Sequence, residues 1–77
     1  MFTIYGKPKC GLCVRLKMVL DLLGKEYEEK ILGIDYTEED FEKRFPGKNL
    51  FPQVELDGKY IGNGTDTVAY LKEHRVF

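Results

Sequence analysis

Apolar residues recur along this chain in short bursts whose period changes from two to about three and a half and back. Phe2-Thr3-Ile4-Tyr5 is β-branched and aromatic and predicts a strand. Beyond it, Leu12, Leu16, Val19, Leu20 and Leu23 recur at spacings of three and four, with Arg15, Lys17 and Asp21 on the other faces. That pattern predicts an amphipathic helix. Gly24 stands where a helix C′ residue belongs, with Lys25 near the negative end of the dipole. Tyr27 to Ile34 reads as a second strand with imperfect alternation. A strand, a helix and a strand in this order imply a right-handed crossover and parallel pairing.

Thr37 followed by Glu38, Glu39 and Asp40 predicts the start of a second helix. Phe41 and Phe45 would be its buried contacts, and Pro46-Gly47 its end. Phe51-Pro52-Gln53-Val54-Glu55-Leu56 and Lys59-Tyr60-Ile61 flank Asp57-Gly58, a strong signal for an antiparallel two-residue hairpin. Pro52 marks the start of the third strand, since it cannot donate to a ladder, and such a position tolerates a cis bond. Gly62-Asn63-Gly64 is expected to break the fourth strand, and Thr65 or Asp66 to cap a last helix. Val68 and Leu71 supply that helix's apolar contacts, while Lys72, His74 and Arg75 complement its C-terminal dipole. The expected order is βαβαββα, an α/β fold.

A length of 77 residues fits one domain, residues 1–77, with a modest core built from Ile, Leu, Val, Phe and Tyr. A net charge of −1 argues against nucleic acid as the main partner. No apolar run approaches the ~20 residues that span a bilayer, and no signal-peptide h-region opens the chain, so no membrane partner is expected. The simple expectation is a soluble, cytoplasmic protein and a monomer. Glu38, Glu39, Asp40 and Glu42 read as a solvated acidic face rather than acid–base machinery, and His74 as a solvated end residue.

The chemistry concentrates in Cys10-Gly11-Leu12-Cys13, at the point where the first strand gives way to the first helix. In a reducing compartment such a dithiol is more often catalytic than structural. A thiol with a pKa near ~8.5 is mostly protonated at neutral pH, and unpaired N–H groups at a helix N-terminus favour its thiolate. Lys7 and Lys9 add positive potential. Cys10, expected at or just before the first helical residue and partly exposed, is the candidate nucleophile. Cys13, one turn in, is the candidate resolving thiol. Tetrahedral zinc would need four ligands, and the chain offers these two cysteines and a distant His74, so no metal site is expected. A purely structural disulfide here would close a tiny loop and constrain the unfolded chain little.

Taken together, Lys7-x-x-Cys10-x-x-Cys13, Phe51-Pro52-Gln53-Val54 and Gly62-Asn63-Gly64-Thr65-Asp66 resemble, in order and spacing, the short dithiol glutaredoxins of bacteria and large phages. The resemblance covers nearly the whole chain. It implies a thioredoxin-like fold, a four-stranded mixed sheet with helices on both faces, and a groove for glutathione as co-substrate with no tightly bound cofactor. It implies that Pro52 is cis beside the nucleophile, and that Phe51 presents its backbone to the cysteinyl part of glutathione. Lys7 and Lys48 would hold the glycyl carboxylate, and Thr65 and Asp66 the γ-glutamyl end. Gly11-Leu12 replaces the family's common Pro-Tyr, Phe51 its usual Val, and Thr67 its second Asp. The activity implied is reduction of protein disulfides and glutathionylated proteins, with ribonucleotide reductase as one substrate. Two other readings stay open: regeneration by a thioredoxin reductase, and a glutathione-ligated iron–sulfur carrier.

Overall fold

A computed structural model describes residues 1–74. Arg75, assigned above to the last helical dipole, lies outside the described residues. Four strands, β1 (Phe2–Gly6), β2 (Tyr27–Ile31), β3 (Gln53–Leu56) and β4 (Lys59–Asn63), form one mixed sheet in the order β2-β1-β3-β4. β1 runs parallel to β2, with Phe2 opposite Tyr27, and antiparallel to β3, with Ile4 opposite Val54. Helix α1 (Gly11–Leu22) makes the crossover between β1 and β2, α2 (Glu38–Arg44) follows β2, and α3 (Gly64–Glu73) follows β4.

Alternation along β1 sorts the molecule into layers. Phe2 and Ile4 face one side, where Leu16 and Leu20 of α1, Val54 and Leu71 of α3 bury the main core. Each of these aliphatic side chains contributes roughly 1.5–3 kcal/mol by leaving water. Tyr5 faces the other side and packs with Tyr36, Phe41 and Phe45. The aromatic layer under α2 is tied to the sheet by a fork: Arg44 Nε and Nη2 donate to the buried Glu55 carboxylate at 3.0 and 2.6 Å. Helices therefore cover both faces, as the expected fold requires.

Thr37 caps α2 and forms a capping box with Asp40, and Asp57 (φ 52°) with Gly58 (φ 83°) makes the hairpin turn left-handed at both central residues. Four expectations shift. Leu12 is 58% exposed because Cys13, Leu16 and Leu20 form the inward stripe, and Leu12 stands at its edge in the first turn, about 100° around the helix from Cys13. β2 stops at Ile31, whose N–H is taken by the Asp35 carboxylate at 2.7 Å, while Ile34 turns back onto the Ile31 carbonyl and is left exposed. β3 begins at Gln53, after a cis Phe51–Pro52 bond. β4 runs through Asn63, and the cap of α3 is Asn63 rather than Thr65 or Asp66. Asn63 Oδ1 accepts from Asp66 N–H at 2.9 Å, and Asp66 Oδ2 accepts from Asn63 N–H at 3.1 Å, a reciprocal box that needs no separate loop.

Candidate active site

The loop Lys7-Pro8-Lys9 carries the chain from β1 to α1, and Lys9 turns it sharply with a positive φ of 57°. Left-handed backbone at a lysine is uncommon and costs free energy, so this corner is held by its surroundings. It delivers Cys10 as the N-cap of α1, in extended backbone (φ −100°, ψ 107°). Cys10 Sγ folds back over the first turn and accepts the backbone N–H of Cys13 at 3.2 Å. That fold turns the side chain inward: Cys10 is buried, at 8% exposure, where the sequence led us to expect a partly exposed sulfur. Both cysteines are free thiols.

The two sulfurs differ in surroundings. Cys13 is 2% exposed, and its Sγ lies over Gly6, where a Cβ would stand only 3.0 Å away. Burial first, and then its hydrogen bond with Cys10, pushes the Cys13 thiol up to about 12. Gly6 is fixed in turn, because its carbonyl accepts both the Tyr36 hydroxyl at 2.6 Å and the Leu32 N–H at 2.9 Å. Burial, followed by the field of the nearby Cys13, also raises the Tyr36 phenol.

Cys10 and Cys13 open on a cleft of about 420 Å³ whose rim includes Lys7, Lys9, Lys17 and Glu29. Lys17 Nζ and the Glu29 carboxylate pair across it at 2.8 Å. Neither residue stands out as a site residue in the sequence alone. Lys17 lies one helical turn beyond Cys13 and could have been found by spacing. Glu29 reaches it only through the parallel register of β1 with β2, which no local signal gives.

The remaining candidates surround the thiols from other elements. Pro52 is buried and packs so closely on the start of α3 that a Cβ at Gly64 would meet its ring at 3.2 Å. Lys7 Nζ sits 5.1 Å from the centroid of the Phe51 ring, which stacks on Phe41 at 4.6 Å. Cation and ring together bridge the cysteine loop to the Pro52 loop. Lys48 is exposed and lines a separate depression with Phe51 and Phe41. Thr65 and Asp66 are exposed in the first turn of α3, where the Asp66 N–H is already donated to Asn63. Thr67 is fully buried, its hydroxyl donating to the Asn63 carbonyl at 2.9 Å, so it belongs to the packing of α3 rather than to the surface. His74 is exposed at the C-terminus of α3, its ring 4.1 Å from Tyr70. Among the described residues no group of three or more His, Cys, Asp or Glu side chains could hold a metal ion. Nor is any helix among them long and apolar enough to cross a membrane.

The comparisons agree with this geometry. The family model named Glutaredoxin matches residues 2–61. Glutaredoxin 1 of Salmonella typhimurium is 39% identical over 83 residues, spanning 96% of this chain and 94% of that protein. The hybrid peroxiredoxin hyPrx5 of Haemophilus influenzae is 37% identical over 69 residues, and there the match spans 90% of this chain but only 28% of that protein. Among solved structures, reduced Escherichia coli glutaredoxin superposes with a TM-score of 0.77 at 30% identity, covering 96% of this chain and 95% of that one. A buckwheat glutaredoxin–glutathione complex superposes with a TM-score of 0.81 at 23% identity over 97% of this chain and 71% of that one, a likeness of fold. A paired thiol at the start of the crossover helix, a cis proline on the neighbouring loop and these matches lead to one conclusion: the chain belongs to the glutaredoxin family, thiol–disulfide oxidoreductases of thioredoxin-like fold.

Proposed function

We propose that the protein reduces protein disulfides and glutathione mixed disulfides at the expense of glutathione, with Cys10 as nucleophile and Cys13 as resolving thiol. The unequal placement of the two sulfurs carries this reading. Cys10 Sγ stands at the N-cap of α1 and accepts the Cys13 N–H at the helix N-terminus, the outer of the two sulfurs. Cys13 is sealed beneath the first turn and held as a thiol until needed. The Cys10 thiolate attacks one sulfur of the substrate disulfide, forms a mixed disulfide and expels the other sulfur as a thiolate, which takes up a proton. Cys13 then gives up its proton and attacks Cys10, releasing the second substrate thiol and leaving the Cys10–Cys13 disulfide. Two glutathiones restore the dithiol and leave as one glutathione disulfide. With a glutathionylated protein, Cys10 alone suffices: it takes the glutathionyl group, and a second glutathione removes it.

For glutathione itself, Lys7 and Lys48 supply cations for the glycyl carboxylate on either side of Phe51, whose backbone pairs with the cysteinyl residue beside Pro52. Asn63 consumes the Asp66 N–H, so the N–H groups of Gly64 and Thr65 serve the γ-glutamyl carboxylate, and the Asp66 side chain serves its ammonium. The setting is a reducing cytoplasm and the working form a monomer; ribonucleotide reductase is one candidate protein substrate. The test is turnover with glutathione and glutathione reductase against turnover with thioredoxin reductase. The proposal requires the first to be supported and the second not. Trapping the glutathione mixed disulfide on Cys13→Ser, and finding it on Cys10, would identify the attacking sulfur.

A further inference from the structure

A second groove of about 350 Å³ leads away from the thiols between α1 and α3. Its mouth is formed by Thr65 and by Gly64, the residue that packs on Pro52. Apolar surface from Leu12 and Val68 lines it, and Leu12 is 58% exposed although it stands between the two cysteines. Arg15 and Lys72 flank it, and no acidic residue contributes to its wall. Lys17, Lys30, Lys43 and Arg44 each sit in an ion pair, whereas among the described residues neither Arg15 nor Lys72 does.

We propose that this groove seats the polypeptide flanking the disulfide of a protein substrate, taking an apolar side chain against Leu12 and Val68 and a carboxylate between Arg15 and Lys72. The inference rests on the thiol-exchange reading above and adds to it the kind of partner. Helices α1 and α3 both begin beside the thiols, so distance along them measures distance from the reacting sulfur. Lys72 lies two turns beyond Thr65, about 10 Å at ~1.5 Å of rise per residue. An extended peptide covers ~3.3 Å per residue, which places its acidic side chain about three residues from its cysteine. Glutathione has one residue on each side of its cysteine and cannot reach that far. The Arg15 and Lys72 end of the groove therefore distinguishes protein substrates and lies beyond the reach of the tripeptide.

The test uses peptide dimers joined through a central cysteine, each with a leucine beside it and glutamates three and four residues away on both sides. Companion dimers carry glutamine or lysine at the same positions. The reduced protein attacks them in a single turnover, with glutathione absent. The acidic dimer should react up to about tenfold faster than the glutamine dimer at low ionic strength, and this gap should close in high salt. The double variant Arg15→Glu/Lys72→Glu should lose that preference and favour the lysine dimer, with the glutamine dimer reacting at its original rate as evidence of an intact site. Equal rates for all three dimers would overturn the groove and leave thiol exchange standing. An acidic preference that survives the double variant would assign it to Lys7, Lys9 and Lys48, and would equally overturn the groove. Failure to reduce any dimer would instead count against the thiol-exchange reading.

Discussion

Gly6 and Cys13 are in contact across the junction of β1 and α1, and the contact leaves no room for a side chain. A Cβ on residue 6 would stand 3.0 Å from Cys13 Sγ and 3.6 Å from Cys13 Cβ. Neither partner can easily retreat. Gly6 is held by two hydrogen bonds to its carbonyl, and Cys13 is enclosed by the core. Gly6→Ala should therefore destabilise the fold by about 1–3 kcal/mol, the usual cost of an added methyl in a packed interior. Denaturant titration would show it. Cys13→Ala opens space at the same spot, so the double variant should lose less than the sum of the two single losses. Strict additivity would mean that the contact is not tight.

The same enclosure separates the two thiols chemically. With its thiol pushed up to about 12 by burial, Cys13 has almost no thiolate at neutral pH and little access to reagents. Iodoacetamide at pH 7 should label Cys10 and leave Cys13 unlabelled, as read by mass spectrometry of tryptic peptides. In Cys10→Ser the first cause of the shift, burial, remains although the hydrogen bond from Cys10 is gone. The labelling rate of Cys13 in that variant should still be rising at pH 10. Cys10→Ser should abolish both dithiol reduction and deglutathionylation, whereas Cys13→Ser should abolish only the first.

Alkaline pH should destabilise the protein for the same reason. The folded Cys13 keeps its proton to about 12, whereas an ordinary cysteine releases it at 9.0. Above 9.0 the unfolded chain sheds a proton that the folded chain retains, so stability falls with rising pH until about 12. Tyr5 and Tyr36, both raised first by burial, act in the same direction, as does Lys17, raised first by its hydrogen bond to Glu29. Urea midpoints should thus be lower at pH 10.5 than at pH 8. A Cys13→Ala variant, though less stable at pH 8, should show a smaller decline.

Much of this arrangement was legible in the sequence because it rests on local rules. The N-cap of α2 at Thr37, the Asp57-Gly58 turn and the inward face of Leu16 and Leu20 each follow from residues a few positions apart. The parallel crossover follows from chirality. What escaped were features set by distant partners. Leu12 fits the helical spacing and yet is exposed, because Cys13 occupies the inward position beside Gly6. The Lys17–Glu29 pair depends on strand register. Asn63 looks in the sequence like part of a break, because a glycine on either side suggests a loop. The capping box with Asp66 and the ladder partner Gln53 instead carry the strand directly into the helix.

That last junction yields a prediction that joins stability to binding. Asn63 ends β4, caps α3 and fixes Asp66 through two reciprocal hydrogen bonds. Asn63→Ala removes the acceptor for the Asp66 N–H, and loss of such a cap costs about 1 kcal/mol. It also releases the backbone of Asp66 from one half of the box, so that its carboxylate, still paired with the backbone N–H of residue 63, is held less firmly at the position proposed for the γ-glutamyl ammonium. The variant should therefore unfold at lower denaturant and show a higher KM for glutathione, with kcat nearly unchanged, since neither sulfur moves. Asn63→Ser, whose hydroxyl can still accept from the Asp66 N–H, should recover most of both losses. If stability fell in Asn63→Ala while KM for glutathione stayed at its original value, the cap would be structural alone, and the γ-glutamyl end of the ligand would have to lie elsewhere.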